Sequence, residues 1–245
     1  MTATSTSSNP IHILTATTTK TKIILNTDQY LTHYWPFLNA TMTDSIGHAD
    51  MQQGMNTTFI SDRFGCPNSS LNLNGGWTYV HPGVYFDAPQ FTISVWIYPQ
   101  SIGEVARVID FGNSPSPSDN IVLTQDTGLG TSHNLKPKVN IRNGSKIIGT
   151  ITSSTTLVLN QWQFLSATFD GTLLSIYING VSKGSASVVY SLPSLTRTNN
   201  YIGKSWDTSN GYSSSYLDDL RFYNKSLSRC EIIDLMKANS KSREY

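Results

Sequence analysis

The stretch QWQFLSATFDGTLLSIYINGVSKGSAS, residues 161–187, constrains the fold of this chain more than any other. Three runs of alternating apolar and polar residues are separated by Asp170-Gly171 and Asn179-Gly180. A period of two sends successive side chains to opposite faces of a strand. Asp-Gly and Asn-Gly are the pairs that tight antiparallel turns ask for, because those turns need positive φ. Three strands joined by two such turns make a meander, and a meander must bury its apolar face against a second layer.

The same texture runs through most of the chain. FTISVWIYP, 91–99, sets Phe91, Ile93, Val95 and Ile97 against Thr92, Ser94, Trp96 and Tyr98, and Pro99 ends it. ARVIDFGN, 106–113, and NIVLTQD, 120–126, read as strands, and KVNIRNGSKIIGTI, 138–151, reads as a hairpin around Asn143-Gly144. NYIGKS, 200–205, and YLDDLRFYN, 216–224, close the series. One helix is predicted, in SLSRCEIIDLMKANS. Its cap is Ser226 or Ser228, Glu231 completes a capping box with Ser228, and Leu227, Ile232, Leu235 and Met236 form its apolar stripe. These elements predict an all-β domain: two antiparallel sheets in a jelly-roll sandwich, with one short C-terminal helix. The domain is expected over 28–240. Residues 1–27 form a Ser/Thr-rich tail or stalk, expected to be disordered although KIILN at 22–26 offers one short strand, and 241–245 form a C-terminal tail.

Composition excludes some function classes. Charged residues are only 13% of the chain and the net charge is +1, so nothing favours nucleic acid or an anionic membrane. No apolar run approaches the roughly 18 residues of a spanning helix. The opening MTATSTSSNPIHILTATTTK has no basic start and no apolar core, so no secretory leader is predicted at Met1. Asn39, Asn56, Asn68, Asn143 and Asn224 lie in Asn-x-Ser/Thr acceptors. Two cysteines, Cys66 and Cys230, are either one bridge or two separate thiols. The three glutamates, Glu104, Glu231 and Glu244, lie apart in a loop, a helix cap and the last residues. No strand therefore carries the paired carboxylates of a glycosidase. The five histidines are scattered without metal spacing, and TQDTGLGT, 124–131, lacks the tryptophan and the repetition of a sialidase Asp-box.

Six segments, in order, resemble one family. HYWPFLNATMTDSIGHADM is similar to its opening strand, and RFGCPNSSLNLNGG to the segment where Phe-Gly precedes a strand ending in Asn-Gly. FTISVWIYP, the 161–187 meander, YIGKS and YLDDLRFYNKSLSRCEI resemble the central strands, the closing strand and the helix. The chain thus resembles the laminin G-like jelly-roll domains of the concanavalin A-like lectin/glucanase superfamily over about residues 30–238. The resemblance implies a non-catalytic extracellular or cell-surface recognition module whose partner is a glycan or an extracellular protein. The alternative is a structural or adhesion spacer within a larger surface protein.

The resemblance also implies site residues. Members often hold one structural calcium, with an aspartate at the start of the last strand; in DDLRFY that aspartate is Asp218, with Asp44 and backbone oxygen near Gly47 completing the shell. Strict alternation agrees, since it puts Asp218 on the face of Leu220 and Phe222 and leaves Asp219 outside beside Arg221. Without a metal, Asp218 is expected to accept hydrogen bonds instead. The family order brings FGCPN and LSRCEI to one edge, which implies a Cys66–Cys230 disulfide. A sugar site needs an aromatic plane with polar side chains around it. SWDTSNGYSSSY supplies Trp206, Asp207, Asn210, Tyr212 and Tyr216, and GGWTYVHPGVYF supplies Trp77 and Tyr79. Trp96, on the outer side of its strand, is expected to lie under a covering loop.

Overall fold

A computed structural model describes residues 27–102, 105–113, 118–128, 134–207 and 209–238. The Ser/Thr-rich start, its KIILN stretch and the C-terminal tail lie outside the described residues. The strands are β1 (Leu31–Trp35), β2 (Gln52–Met55), β3 (Thr58–Ile60), β4 (Ser70–Asn72), β5 (Trp77–Val80), β6 (Phe91–Pro99), β7 (Arg107–Asn113) and β8 (Ser118–Thr124). They continue as β9 (Lys138–Asn143), β10 (Lys146–Thr152), β11 (Gln163–Phe169), β12 (Leu173–Ile178), β13 (Val181–Ser187), β14 (Asn199–Ile202) and β15 (Ser215–Tyr223). The helix α1 spans Arg229–Lys237.

Two antiparallel sheets result. The eight-stranded sheet runs β13-β12-β11-β6-β15-β4-β3, with β1 also on β15, and the seven-stranded sheet runs β10-β9-β8-β7-β14-β5-β2. The long strands β6 and β15 pair along most of their length, from Ser215 opposite Pro99 to Tyr223 opposite Thr92. On the other edge of β15, β4 takes its first residues and β1 its last four. The predicted meander is β11–β12–β13, with Asn179 and Gly180 at positive φ in its second turn. The inner faces meet in one core, where Ile93, Val95, Ile97, Leu165, Ala167, Leu174 and Ile176 face Ile109, Phe111, Ile121, Leu123, Val139, Ile141 and Ile202. The sandwich and the terminal helix are as the sequence predicts.

The helix begins where its capping box lies. The Ser228 side chain accepts from the Glu231 amide at 3.3 Å, and the Glu231 carboxylate accepts from the Ser228 amide at 2.8 Å. Ile232 and Leu235 then pack with Leu31, Tyr34, Phe164, Tyr223 and Leu227 in a second apolar layer on the outer face of the eight-stranded sheet. Trp96 joins this layer, so its cover comes from α1 and Arg63 as well as from a loop.

One reading of β15 is corrected. Asp219 takes a φ of 53°, and the pairing with β6 steps three residues on β15, Asp218 to Arg221, against two on β6, Trp96 to Ser94. This is a β-bulge, and an extra residue reverses the alternation beyond it. Leu217, Leu220 and Phe222 therefore face the core, while Asp218 points to the outer face with Arg221. Asp219 does pair with Arg221, at 2.8 Å, but the pair is fully buried rather than exposed.

Candidate functional site

Register places one row of outward side chains across the whole seven-stranded sheet. From β10 to β2 it reads Thr150, Asn140, Val122, Asp110, Tyr201, Tyr79 and Gln52. An outer sheet face ordinarily carries polar residues toward water. Along β14 and β5 this one is aromatic instead. Trp77 lies 6.0 Å from Tyr79 and 5.7 Å from Tyr201 between ring centroids, and His81 lies 6.0 Å beyond Tyr79. The Lys204 ammonium sits 4.4 Å from the Trp77 ring and 4.7 Å from the Tyr201 ring, a cation–π arrangement. Gly54 of β2 makes room for the indole, since a Cβ there would fall 2.5 Å from the Trp77 ring.

The 205–212 loop starts and finishes beside this shelf. Ser213 donates its amide to Gly203 at 2.9 Å and bridges to Gly76, the residue before Trp77. Two candidates far apart in sequence, Trp77 and the Trp206–Tyr212 segment, are thus neighbours. Within the loop, Asp207 accepts from the Ser209 amide at 2.9 Å and its hydroxyl at 2.7 Å, which hold its carboxyl below the usual range. Asn210 donates to the Ser205 hydroxyl at 3.2 Å. Trp206, Asp207, Asn210, Tyr212 and Trp77 are all half-buried.

What pins the loop is a buried carboxylate that sequence reading passed over. Asp110 accepts from Asn120 at 2.6 Å and Ser205 at 3.2 Å, and from the Trp206 amide, while Arg107 lies 3.4 Å away. Burial pushes the Asp110 carboxyl above the usual range, and Arg107 and Asn120 oppose that rise. Asn120 reaches Asp110 across Gly112, where a Cβ would fall 2.3 Å from its side chain. The only sequence signal was an aspartate inside an apolar strand.

The residues assigned to calcium are occupied otherwise. Arg63 donates one guanidinium nitrogen to Asp218 and the other to Asp219, at 2.6 Å for the latter, and Tyr34 donates its hydroxyl to Asp219. Arg63 is the cation at this position, and its side chain is 6% exposed. Burial and the neighbouring Asp219 push Asp218 well above the usual carboxylate range, whereas Arg221 and Arg63 outweigh burial and hold Asp219 below it. Asp44 is buried at the sandwich rim and accepts from His33 at 2.7 Å and from the amides of Tyr34, Ile46, Gly47 and Ala49 at 2.8–3.1 Å. Burial raises its carboxyl, but these donors outweigh burial and keep it low. Gly47 presents an N–H to the carboxylate, not an oxygen to a metal. Among the described residues no group of three or more His, Cys, Asp or Glu is arranged to hold a metal ion. Asp218, Asp44 and Gly47 do not fit the calcium site that the resemblance implies.

The expected disulfide is corrected too: Cys66 and Cys230 are both free, the first half-buried and the second exposed. The end of α1 that approaches the Cys66 loop is its last turn, where Met236 and Lys237 line a pocket with Phe64. Cys230 is in the first turn, about 9 Å back along the axis at 1.5 Å per residue.

Two packed antiparallel sheets with an aromatic shelf on one outer face define a lectin-like jelly-roll sandwich. A laminin G-type family model described as the concanavalin A-like lectin/glucanases superfamily matches residues 73–233, and the chain belongs to that family. No curated protein sequence matches the chain. Among solved structures, it is similar to domain 4 of AbnA, a GH43 extracellular arabinanase from Geobacillus stearothermophilus, in complex with arabinotriose. That likeness has a TM-score of 0.65 and 21% identity, and covers 84% of this chain and 98% of that one. The binding domain of Paraclostridial Mosquitocidal Protein 1 matches with a TM-score of 0.61 and 17% identity, over 84% of this chain and 52% of that one. The ligand binding domain of botulinum neurotoxin serotype D, in complex with N-acetylneuraminic acid, matches at 0.59 and 16%, over 84% and 50%. The chain therefore spans about half the length of these toxin domains, and at such identities the likeness establishes the fold.

Proposed function

We propose that this chain is a non-catalytic recognition module, acting outside the cell or at its surface, that binds a glycan on the outer face of the seven-stranded sheet. The observation that carries the reading is the shelf of Trp77, Tyr79 and Tyr201 under Lys204, contiguous with the Asp110-pinned loop. Aromatic rings offer flat apolar area to a sugar at low entropic cost, and polar loop side chains supply direction. Asp207, Asn210 and Tyr212, on the loop whose ends adjoin the shelf, are the polar side chains this reading assigns to the sugar hydroxyls. The glycan-bound structures among the relatives support the class of ligand without naming it for this chain.

The test is a glycan array, followed by titration calorimetry on any hit, with arabinotriose and sialyllactose included as defined probes. Trp77→Ala should weaken binding at least about tenfold, the scale of an aromatic anchor at an interface. If no glycan binds while a pull-down recovers a protein partner, the reading fails and an adhesion spacer replaces it.

A further inference from the structure

On the opposite sheet, a pocket of about 350 Å³ lies under the last turn of α1, lined by Arg63, Phe64, Trp96, Trp162, Met236 and Lys237. The polar side chains among these are all donors: arginine, tryptophan and lysine have N–H groups and no acceptor. Phe64 and Met236 add only a ring face and a thioether. Two donors, Arg63 Nε and Trp96 Nε1, are buried and have no hydrogen-bond partner. Leaving a buried donor unmade is costly, so each is closed to solvent here and would gain from an acceptor that reached it. Arg63 is held in place because its two terminal nitrogens are committed to Asp218 and Asp219. Its guanidinium lies 4.5 Å from the Phe64 ring and 4.8 Å from the Trp96 ring. Phe64 is 50% exposed on its turn, and Lys237 is exposed at the end of the helix.

We propose that this pocket binds a small apolar carboxylate, its hydrocarbon among Phe64, Trp96, Trp162 and Met236 and its oxygens on Arg63 Nε–H, Trp96 Nε1–H and the Lys237 ammonium. The lining discriminates among ligand classes. A sugar brings hydroxyl donors that find no side-chain acceptor here. A cation meets the Lys237 ammonium and no side-chain acceptor in the lining. A carboxylate is acceptor-only and matches both the donors and the charge. Asp218 and Asp219 are paired with Arg63 and Arg221, and Asp62, a further buried carboxylate beside them, accepts from the Phe64 and Cys66 amides, so the positive charge left for a ligand is the Lys237 ammonium. Access to the Arg63 N–H requires the half-exposed Phe64 ring, 4.5 Å from the guanidinium, to swing aside as the acid enters. This site is independent of the glycan shelf, which lies on the other sheet.

The full chain is titrated with 3-phenylpropionate, with its neutral amide and with 3-phenylpropylamine, read by calorimetry and by tryptophan fluorescence. The acid should bind in the millimolar range or tighter, the amide about tenfold more weakly, in line with the loss of charge-assisted bonds, and the amine not at all. Lys237→Ala, an exposed position, should weaken the acid severalfold, while Trp77→Ala should leave it unchanged. Equal binding of acid and amide, no binding of the acid at 10 mM probe (about the weakest affinity worth calling a site), or an unchanged affinity in Lys237→Ala overturns the proposal.

Discussion

At Asp218 and Asp219 two adjacent carboxylates share one guanidinium, and the sharing is unequal. Asp219 accepts from Arg63, Arg221 and the Tyr34 hydroxyl, while Asp218 receives Arg63 alone and keeps one oxygen unpartnered. Removing the better-bonded partner of a buried charge cluster leaves uncompensated charge inside the protein, at about 3–5 kcal/mol. Asp219→Asn should therefore cost about that much in denaturant unfolding, whereas Asp218→Asn should cost about 1 kcal/mol or less. Neither calcium nor a chelator should move the melting temperature of the parent protein. The reverse ranking, or stabilisation by calcium, would restore a metal at Asp218. The two residues also titrate with opposite signs. Asp219 and Asp44 are held low, so their contribution is present above the unfolded value of about 3.9 and is lost as pH falls through their lower folded values. Asp218 is held high, so folding gains as pH falls through its folded value toward about 4. The melting temperature should peak on the acid side of neutrality and drop below about pH 4. In Asp218→Asn the acid-side gain should vanish while the drop remains.

At the scale of an element, α1 and the 205–212 loop are each secured by one short device. For α1 it is the Ser228–Glu231 capping box, reinforced by Lys225 on Glu231 at 2.6 Å. Ser228→Ala should cost about 1 kcal/mol, a fall in melting temperature of about 2–4 °C for a domain this size. Ile232→Ala, deleting buried packing instead of a cap, should cost about 2–5 kcal/mol and loosen the cover over Trp96 and Phe164. For the loop the device is Asp110, which accepts from Ser205 and Trp206 from beneath. Ser205→Ala removes the bond to Asp110 together with those the hydroxyl accepts from Asn210, the Asp207 amide and Arg107, and deletes no apolar packing, so it should weaken glycan binding more than it lowers stability. A loss of stability with unchanged binding would show that the loop's placement does not matter to the ligand.

Across the whole molecule the two outer faces differ in kind. The eight-stranded sheet is roofed by α1 and carries the ion cluster and the donor-lined pocket, while the seven-stranded sheet keeps its aromatic shelf half-exposed. No helix among the described residues is long and apolar enough to cross a membrane. The five asparagines of the Asn-x-Ser/Thr acceptors are all exposed, so the folded domain has room for modification at each. One core joins the inner faces of both sheets, so denaturant unfolding should be a single transition. Intrinsic fluorescence from the tryptophans and far-UV circular dichroism should give coincident midpoints; separated midpoints would mean that the two faces unfold independently.

Local chemistry made much of this protein legible from residues alone. The strands at 91–99, 163–187 and 215–223, the turn at Asn179-Gly180, and the Ser228 cap are properties of neighbours in the chain: a period of two, positive φ at two residues, a side chain reaching three residues on. The hairpin read around Asn143-Gly144 turns one residue later, at Gly144-Ser145, because Asn143 still pairs with Lys146 and only Gly144 has positive φ. Trp77 and the Trp206–Tyr212 loop could each be named from composition. What could not be read is whatever depends on pairing between distant strands. The bulge at Asp219 follows from register against β6, and it turned Asp218 from the core face to the outer one. The partner waiting there, Arg63, is 155 residues away in the chain. Tyr201 and Lys204 reach Trp77 only because β14 lies beside β5, and Asp110 lies under the loop only because β7 borders β14. Period and turn chemistry act over a few residues, whereas faces, ion partners and the shape of a site are set by which strands become neighbours. That choice belongs to the packed sandwich, where one inserted residue redirects every side chain beyond it.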